Sequence, residues 1–280
     1  MNAPRSGARA DGRAAGLRGS PLSLVGSRGR PPSLLLCSVI AALALGGARA
    51  GAQDGPRRVV DQPTAWLMYF GDHALAGRWA LHAEAQVRRA DGLRTWQQLL
   101  VRPGLVYTLG PAARLAAGYA LVETWPYGEQ PAPARFTEHR LWQQLTLAQA
   151  TGRVAWQHRY RLEQRWVHRP LGATGATDRV YSNRMRYLAR ATLPLVGRTL
   201  DAGEPYASVY DEVFVSWGRN VGRNVLDQNR AYAALGWRAT ASTRIEAGYL
   251  LQLVLKPDGV QMERNHSLQL GVFAGAPLRR

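Results

Sequence analysis

Between Trp66 and Phe273 the chain alternates apolar and polar side chains, and the polar positions are dominated by arginine. In 79–88, Trp79, Leu81, Ala83, Ala85 and Val87 alternate with His82, Glu84, Gln86 and Arg88. In 156–166, Trp156, Tyr160, Leu162 and Trp166 oppose Arg159, Arg161, Glu163 and Arg165. In 183–192, Met185, Tyr187 and Ala189 oppose Arg184, Arg186 and Arg190. The same parity runs through 97–107, 229–237 and 243–255. A period of two belongs to extended strands, whose successive side chains point to opposite faces. Every strand of such a chain presents one apolar face and one charged face, which points to an all-β fold.

The gaps between these segments hold Gly, Pro, Asn, Asp and Ser, the residues that break strands and build turns. They delimit about eleven candidate strands with no domain break. Gly110-Pro111, Thr151-Gly152 and Ala241-Ser242 read as tight turns, whereas 125–135, 168–180, 218–227 and 257–265 are long. Alternation of short turns with long loops is the habit of outer-membrane barrels. The gap at 196–205 is long where a short turn is due. Trp79, Trp125, Trp156, Trp166, Trp217 and Trp237 stand at strand ends, where aromatic girdles meet the membrane interface. Arginine facing lipid near the midplane costs about 2–4 kcal/mol, so the arginine face belongs in the lumen. The expected architecture is a single antiparallel transmembrane β-barrel of about 10–12 strands. An odd count departs from bacterial habit, and Trp66 to Phe70 reads as a partial strand. Leu141, Trp142, Leu145 and Ala148 also fit a helical face, but Thr151-Gly152 joins this stretch to a clear strand. Asp211 shares parity with Val209, Val213 and Val215, and a bulge or register change is expected there. A soluble periplasmic β-sandwich binding module would alternate in the same way and is the competing fold.

Residues 1–30 carry six arginines and one acid, followed by the uncharged apolar run Leu34 to Leu45 and then Ala48-Arg49-Ala50. A basic region, an apolar core and a small-x-small site make a secretory signal. Residues 1–50 are therefore expected to be a cleaved signal peptide, 51–63 a linker and 64–280 the barrel domain. The apolar core is shorter than the roughly 20 residues a spanning helix needs. The expected location is the bacterial outer membrane, with outer-membrane lipid and the barrel assembly machinery as partners. Cys37, the one cysteine, lies in this leader, so a disulfide framework, thiolate metal sites and a cysteine nucleophile are excluded for residues 51–280.

Several phrases recur in order: Glu138-His139-Arg140-Leu141-Trp142-Gln143-Gln144, Arg159-Tyr160-Arg161-Leu162-Glu163-Gln164-Arg165, Arg184-Met185-Arg186-Tyr187, Tyr210-Asp211-Glu212-Val213-Phe214, Asp227-Gln228-Asn229-Arg230 and Gly248-Tyr249. Together they resemble a bacterial domain-of-unknown-function family (number twenty-four ninety), over roughly residues 64–273. The resemblance implies an outer-membrane β-barrel and carries no activity. One departure is the end: barrels of this kind commonly finish on an aromatic, whereas Phe273 here is followed by Ala274 to Arg280 and lies opposite Leu268, Leu270 and Val272.

The formal net charge is +17, from 36 basic and 19 acidic residues, and Lys256 is the single lysine. A basic balance raises nucleic acid as a partner. Here the arginines are threaded singly through apolar segments, so no nucleic acid is expected. The candidate site is a lumen cluster: Glu84, Arg88, Arg102, Glu138, Arg140, Arg159, Arg161, Glu163, Arg165, Arg184, Arg186, Arg190, Glu212, Arg230 and Glu246. Arg–carboxylate forks of this kind brace a wall, because planar guanidinium binds carboxylate through two hydrogen bonds. The surplus of arginine also suits a narrow pore for small anionic solutes. An outer-membrane lipid or ester hydrolase is the enzymatic alternative. Its candidates are His168, Ser182 and His266, with His139, His158, Ser216 and Ser267 as further His and Ser positions. Neither His/carboxylate spacing for a metal nor a Gly-rich phosphate loop occurs, so no metal or other cofactor is expected.

Overall fold

The computed structural model describes residues 57–170, 177–222, 225–256 and 258–277. The expected signal peptide and the first part of the expected linker lie outside them. Eleven strands follow in order: β1 (Arg58–Ala76), β2 (Trp79–Ala90), β3 (Thr95–Gly110), β4 (Ala113–Thr124), β5 (Phe136–Thr151), β6 (Val154–Pro170), β7 (Thr177–Pro194), β8 (Pro205–Trp217), β9 (Leu226–Trp237), β10 (Thr243–Leu255) and β11 (Gln261–Ala274). The ambiguous stretch around Trp142 is strand. Each strand pairs antiparallel with its sequence neighbours, and one sheet closes on itself as a barrel. The alternative β-sandwich is thereby excluded.

An odd number of up-and-down strands makes the first and last run in the same direction. Closure is accordingly parallel, from Arg58 opposite Gln261 to Gly71 opposite Ala274. The partial strand expected at Trp66–Phe70 is a strand of 19 residues that begins inside the stretch read as linker. Val60, Gln62, Thr64, Trp66 and Met68 all turn inward and are buried, which holds the full length in the wall.

Gly77 and Gly152 each open a two-residue hairpin with φ of 54° and 60°, the left-handed conformation that tight hairpins need. The connections 77–78, 111–112, 152–153, 195–204 and 238–242 share one rim with the exit after Ala274. The ends of β2, β4, β6, β8 and β10 and the starts of β3, β5, β7, β9 and β11 share the other with the entry at Arg58. The long connection at 195–204 stays at the rim of short turns and folds onto its neighbour. Gly203 N–H donates to the Arg238 carbonyl at 2.7 Å, and Arg238 Nη1 donates to the Leu200 carbonyl.

The wall is apolar outside and charged inside. Leu268 is 70% exposed and Leu235 67%, while Glu163 and Glu246 are 0% exposed. Seven of the nine tryptophans sit at the rims: Trp79, Trp156 and Trp237 at the short-turn rim, and Trp96, Trp125, Trp166 and Trp217 at the other. Four outward histidines also pair with tyrosine, Tyr69–His73 and His158–Tyr187 toward the short-turn rim, and Tyr119–His139 and Tyr249–His266 toward the long-loop rim. Asp211 corrects the expectation of a bulge. Its register is regular, opposite Ala189 and Ala231, and the irregularity in β8 falls later, between Phe214 and Val215. The carboxylate therefore stands on the outer wall, where it accepts hydrogen bonds from the Asn229 side-chain amide at 3.1 and 3.2 Å. Phe273 faces the lumen and stacks on Phe70 with ring centroids 5.1 Å apart.

Candidate functional site in the barrel lumen

The inward positions of β2, β3, β5, β6, β7, β8, β9 and β10 carry the fifteen residues of the expected cluster, because strand parity delivers them all to the lumen. They do not form one uniform lining. Glu163 on β6 is a hub: it accepts Arg184 Nη2 at 2.6 Å, Arg186 Nη1 at 2.9 Å and Arg102 Nη2 at 3.3 Å. Arg102 on β3 also reaches Glu84 on β2 at 2.7 Å, so one guanidinium ties two distant arcs of the wall across the lumen. Glu212 on β8 binds Arg186 at 2.8 Å and Arg159 at 2.7 Å. Glu138 holds Arg140 at 2.7 Å together with Arg165. Glu246 holds Arg190 and accepts the Tyr206 hydroxyl at 2.8 Å. Shared carboxylates of this kind compensate several desolvated guanidiniums at once.

This charged layer and an apolar cluster of Trp66, Met68, Tyr232 and Leu250 separate two cavities. The cavity at the short-turn rim measures about 410 Å³ and is bordered by Asp72, His82, Arg114, Arg159, Arg161 and Arg244. His82 Nδ1 lies 2.7 Å from Asp72, which also meets Arg114 at 3.0 Å. The bowl at the long-loop rim measures about 660 Å³. Its lining carries nine basic side chains against four acidic ones, a surplus that makes it attractive to anions.

The connection 125–135 bends across this bowl toward β1 and β11. Tyr127 donates its hydroxyl to Glu263 at 2.8 Å, and Lys256 donates to the Gln130 carbonyl at 3.2 Å. Burial and the adjacent Glu263 carboxylate push the Tyr127 hydroxyl well above its ordinary pKa, so it stays a donor.

Other lumen residues lay beyond the expected cluster. Asp227 meets Arg184 at 3.0 Å, and Glu263 meets Lys256 at 2.5 Å. Both stand at strand starts, where alternation has too few neighbours to register. Gln97 is buried because a bulge between Arg88 and Arg89 sets it as an extra residue in β3. Its side-chain oxygen accepts the Trp66 indole N–H at 3.1 Å.

The hydrolase candidates are not brought together. His168 lies on the outer wall, its ring edge-on to His139 at 5.1 Å. Ser182 lies on the lumen face of β7, 8% exposed. His266 contacts Asp61 at 2.9 Å and Tyr249, while its neighbour Ser267 faces inward and is hydrogen-bonded to Thr64 at 2.5 Å. The wall stands between the outer histidines and the lumen serines, so no Ser–His pair forms among these positions.

The chain matches the family described as "Protein of unknown function (DUF2490)" over residues 64–263, and it belongs to that family. It is similar to an uncharacterized protein of Methylorubrum extorquens, 28% identical over 253 residues that cover 87% of this chain and 98% of the relative. No solved structure matches the chain.

Proposed function

Taking membership of this unknown-function family as the premise, we propose that the protein is a barrel of the bacterial outer membrane, exported by its leader and closed across its lumen. The observation that carries the reading is the reversal of inside and outside: glutamates with no exposure at the centre of the lumen, leucines two-thirds exposed on the outer wall. In water that arrangement wastes the hydrophobic effect, whereas in a bilayer it satisfies both faces. The tryptophans and Tyr–His pairs at both rims support the same placement, since amphipathic rings settle where lipid meets water. Closure is supported by Arg102, which bridges Glu84 and Glu163 across the lumen. The barrel is then a braced, non-conducting wall with a basic bowl at the long-loop rim, in place of a through-pore.

Fractionation and electrophysiology test the two halves separately. The expected result is a protein that leaves the envelope only with detergent, shifts mobility on boiling, and gives no conductance steps in planar bilayers. Release of folded protein by buffer alone would overturn the membrane half. Steady ion conductance would overturn the closed lumen.

A further inference from the structure

Two arginines on the bowl floor are left out of the bracing network. Arg88 on β2 donates only to neutral amide oxygens, to Gln86 at 2.5 and 3.2 Å and to Gln98 at 2.7 Å. Among the described residues no carboxylate forms an ion pair with it. Arg230 on β9 has Glu212 at 3.7 Å, but that carboxylate is already held more closely by Arg159 and Arg186. The Nε of Arg230 is buried and has no hydrogen-bond partner among the described residues. Arg88 is 6% exposed and Arg230 8%. Both guanidiniums lie over one indole, that of Trp66, at 3.8 and 5.1 Å from its centroid. That shared ring places them within about 9 Å of each other, and both line the same 660 Å³ bowl.

A guanidinium cannot shed its proton at working pH, so a buried one whose carboxylate is missing, as at Arg88, or already shared, as at Arg230, can be compensated by a further anion. Two of them converging on a cavity make a seat for an oxyanion, which can take paired N–H donors from each. The rest of the bowl says what carries that oxyanion. Leu100, Val167, Val180, Val254 and Leu255 supply apolar wall, and the volume far exceeds a bare inorganic ion.

We propose that the bowl binds a small organic anion, its oxyanion group held by Arg88 and Arg230 and its apolar body against the aliphatic wall. This deepens the preceding reading and rests on the lumen being closed beneath the bowl, but not on the membrane location. The interaction needs both the charge and the fork of the two arginines.

The test is calorimetric titration of detergent-folded full chain with hexanoate, hexanol and inorganic phosphate. Hexanoate is expected to bind saturably, at least tenfold more tightly than either hexanol or phosphate. Arg88→Gln and Arg230→Gln are each expected to weaken hexanoate by about tenfold, the effect of losing one charge-assisted contact. Arg88→Lys, which keeps the charge and loses the fork, is expected to weaken it as well. Arg198→Gln, exposed in the connection 195–204 at the opposite rim and outside the bowl lining, is the control and should leave affinity unchanged. Each variant is scored only after it shows the wild-type heat-modifiable shift, and the lysine variant guards against loss of fold in the glutamines. Equal binding of hexanoate and hexanol would overturn the seat, as would undiminished hexanoate binding by folded Arg88→Gln or Arg88→Lys, or no hexanoate binding at all. Such a failure would leave detergent dependence and absence of conductance intact, so it is distinguishable from failure of the closed-barrel reading.

Discussion

At Glu163 one carboxylate serves Arg102, Arg184 and Arg186 and is itself fully buried. Glu163→Gln keeps the shape and removes the charge, leaving three desolvated guanidiniums short of compensation. Loss of one partner in a buried ion pair costs about 3–5 kcal/mol, and this substitution is expected to fall in that range. Urea unfolding in detergent checks it, and an unchanged midpoint would contradict the bracing role. The outer wall obeys the opposite rule. Val213 faces outward on β8, near Asp211 at the middle of the strand. Val213→Arg is expected to cost about 2–4 kcal/mol of folding in liposomes if lipid covers that face. On a water-covered wall the same change would cost nothing measurable, so the two readings separate at a single side chain. Asp211 fits the same frame as a carboxylate on the outer wall. Its partner Asn229 and the small neighbours Ala189 and Ala231 lighten its burden, and Asp211→Asn is expected to raise stability in liposomes.

Within the strands, glycine decides where aromatic rings can lie. His82, Gly104, Gly118 and Trp142 form one row across β2, β3, β4 and β5. The Trp142 ring passes over both glycines, meets His82 edge-on at 5.4 Å and donates its N–H to the Tyr119 carbonyl at 3.1 Å. A Cβ at Gly118 would stand 2.6 Å from the Gly104 Cα and 2.9 Å from the Trp142 ring, and backbone cannot retreat. Gly118→Ala is therefore expected to lower stability by about 1–3 kcal/mol, as overpacking does, with loss of the near-ultraviolet dichroism of Trp142. This row also marks the boundary of what alternation makes legible. Period two assigns β2, β6, β7 and β10 their faces directly, because in each the apolar side chains concentrate opposite the charged ones. It places the charged cluster in the lumen for the same reason. It cannot show that Trp142 is lumenal, since Leu141, Leu145 and Ala148 give that stretch a helical spacing. Nor can it place Gln97, because a bulge inserts a residue that a strict period does not count. The split of the lumen into brace and bowl is equally hidden: it depends on which arginine meets which carboxylate across the barrel, and parity reports only the face.

Eleven strands have a consequence for the molecule as a whole. The chain enters at the rim of long loops and leaves at the rim of short turns, so the two ends of the barrel domain lie on opposite sides of any membrane it spans. In an even-stranded barrel both ends share the periplasmic side with the short turns. Here the loop rule and the position of the chain's entry pull in different directions, and loop length is the guide followed, because outer-membrane barrels keep short turns on the periplasmic side and long loops outside. On the proposed outer-membrane reading, the connection 125–135, the bowl beneath it and the entry at Arg58 are expected to face the exterior, and the turn at 111–112 the periplasm. The sequence makes this testable without background, since Cys37 is the single cysteine and precedes the expected cleavage site. A membrane-impermeant maleimide applied to intact cells should label Glu129→Cys and leave Ala112→Cys unmodified. After the outer membrane is permeabilised, both should react. Labelling of Ala112→Cys alone in intact cells would invert the barrel, put the basic bowl toward the periplasm, and make its ligand a solute of that compartment in place of an external one.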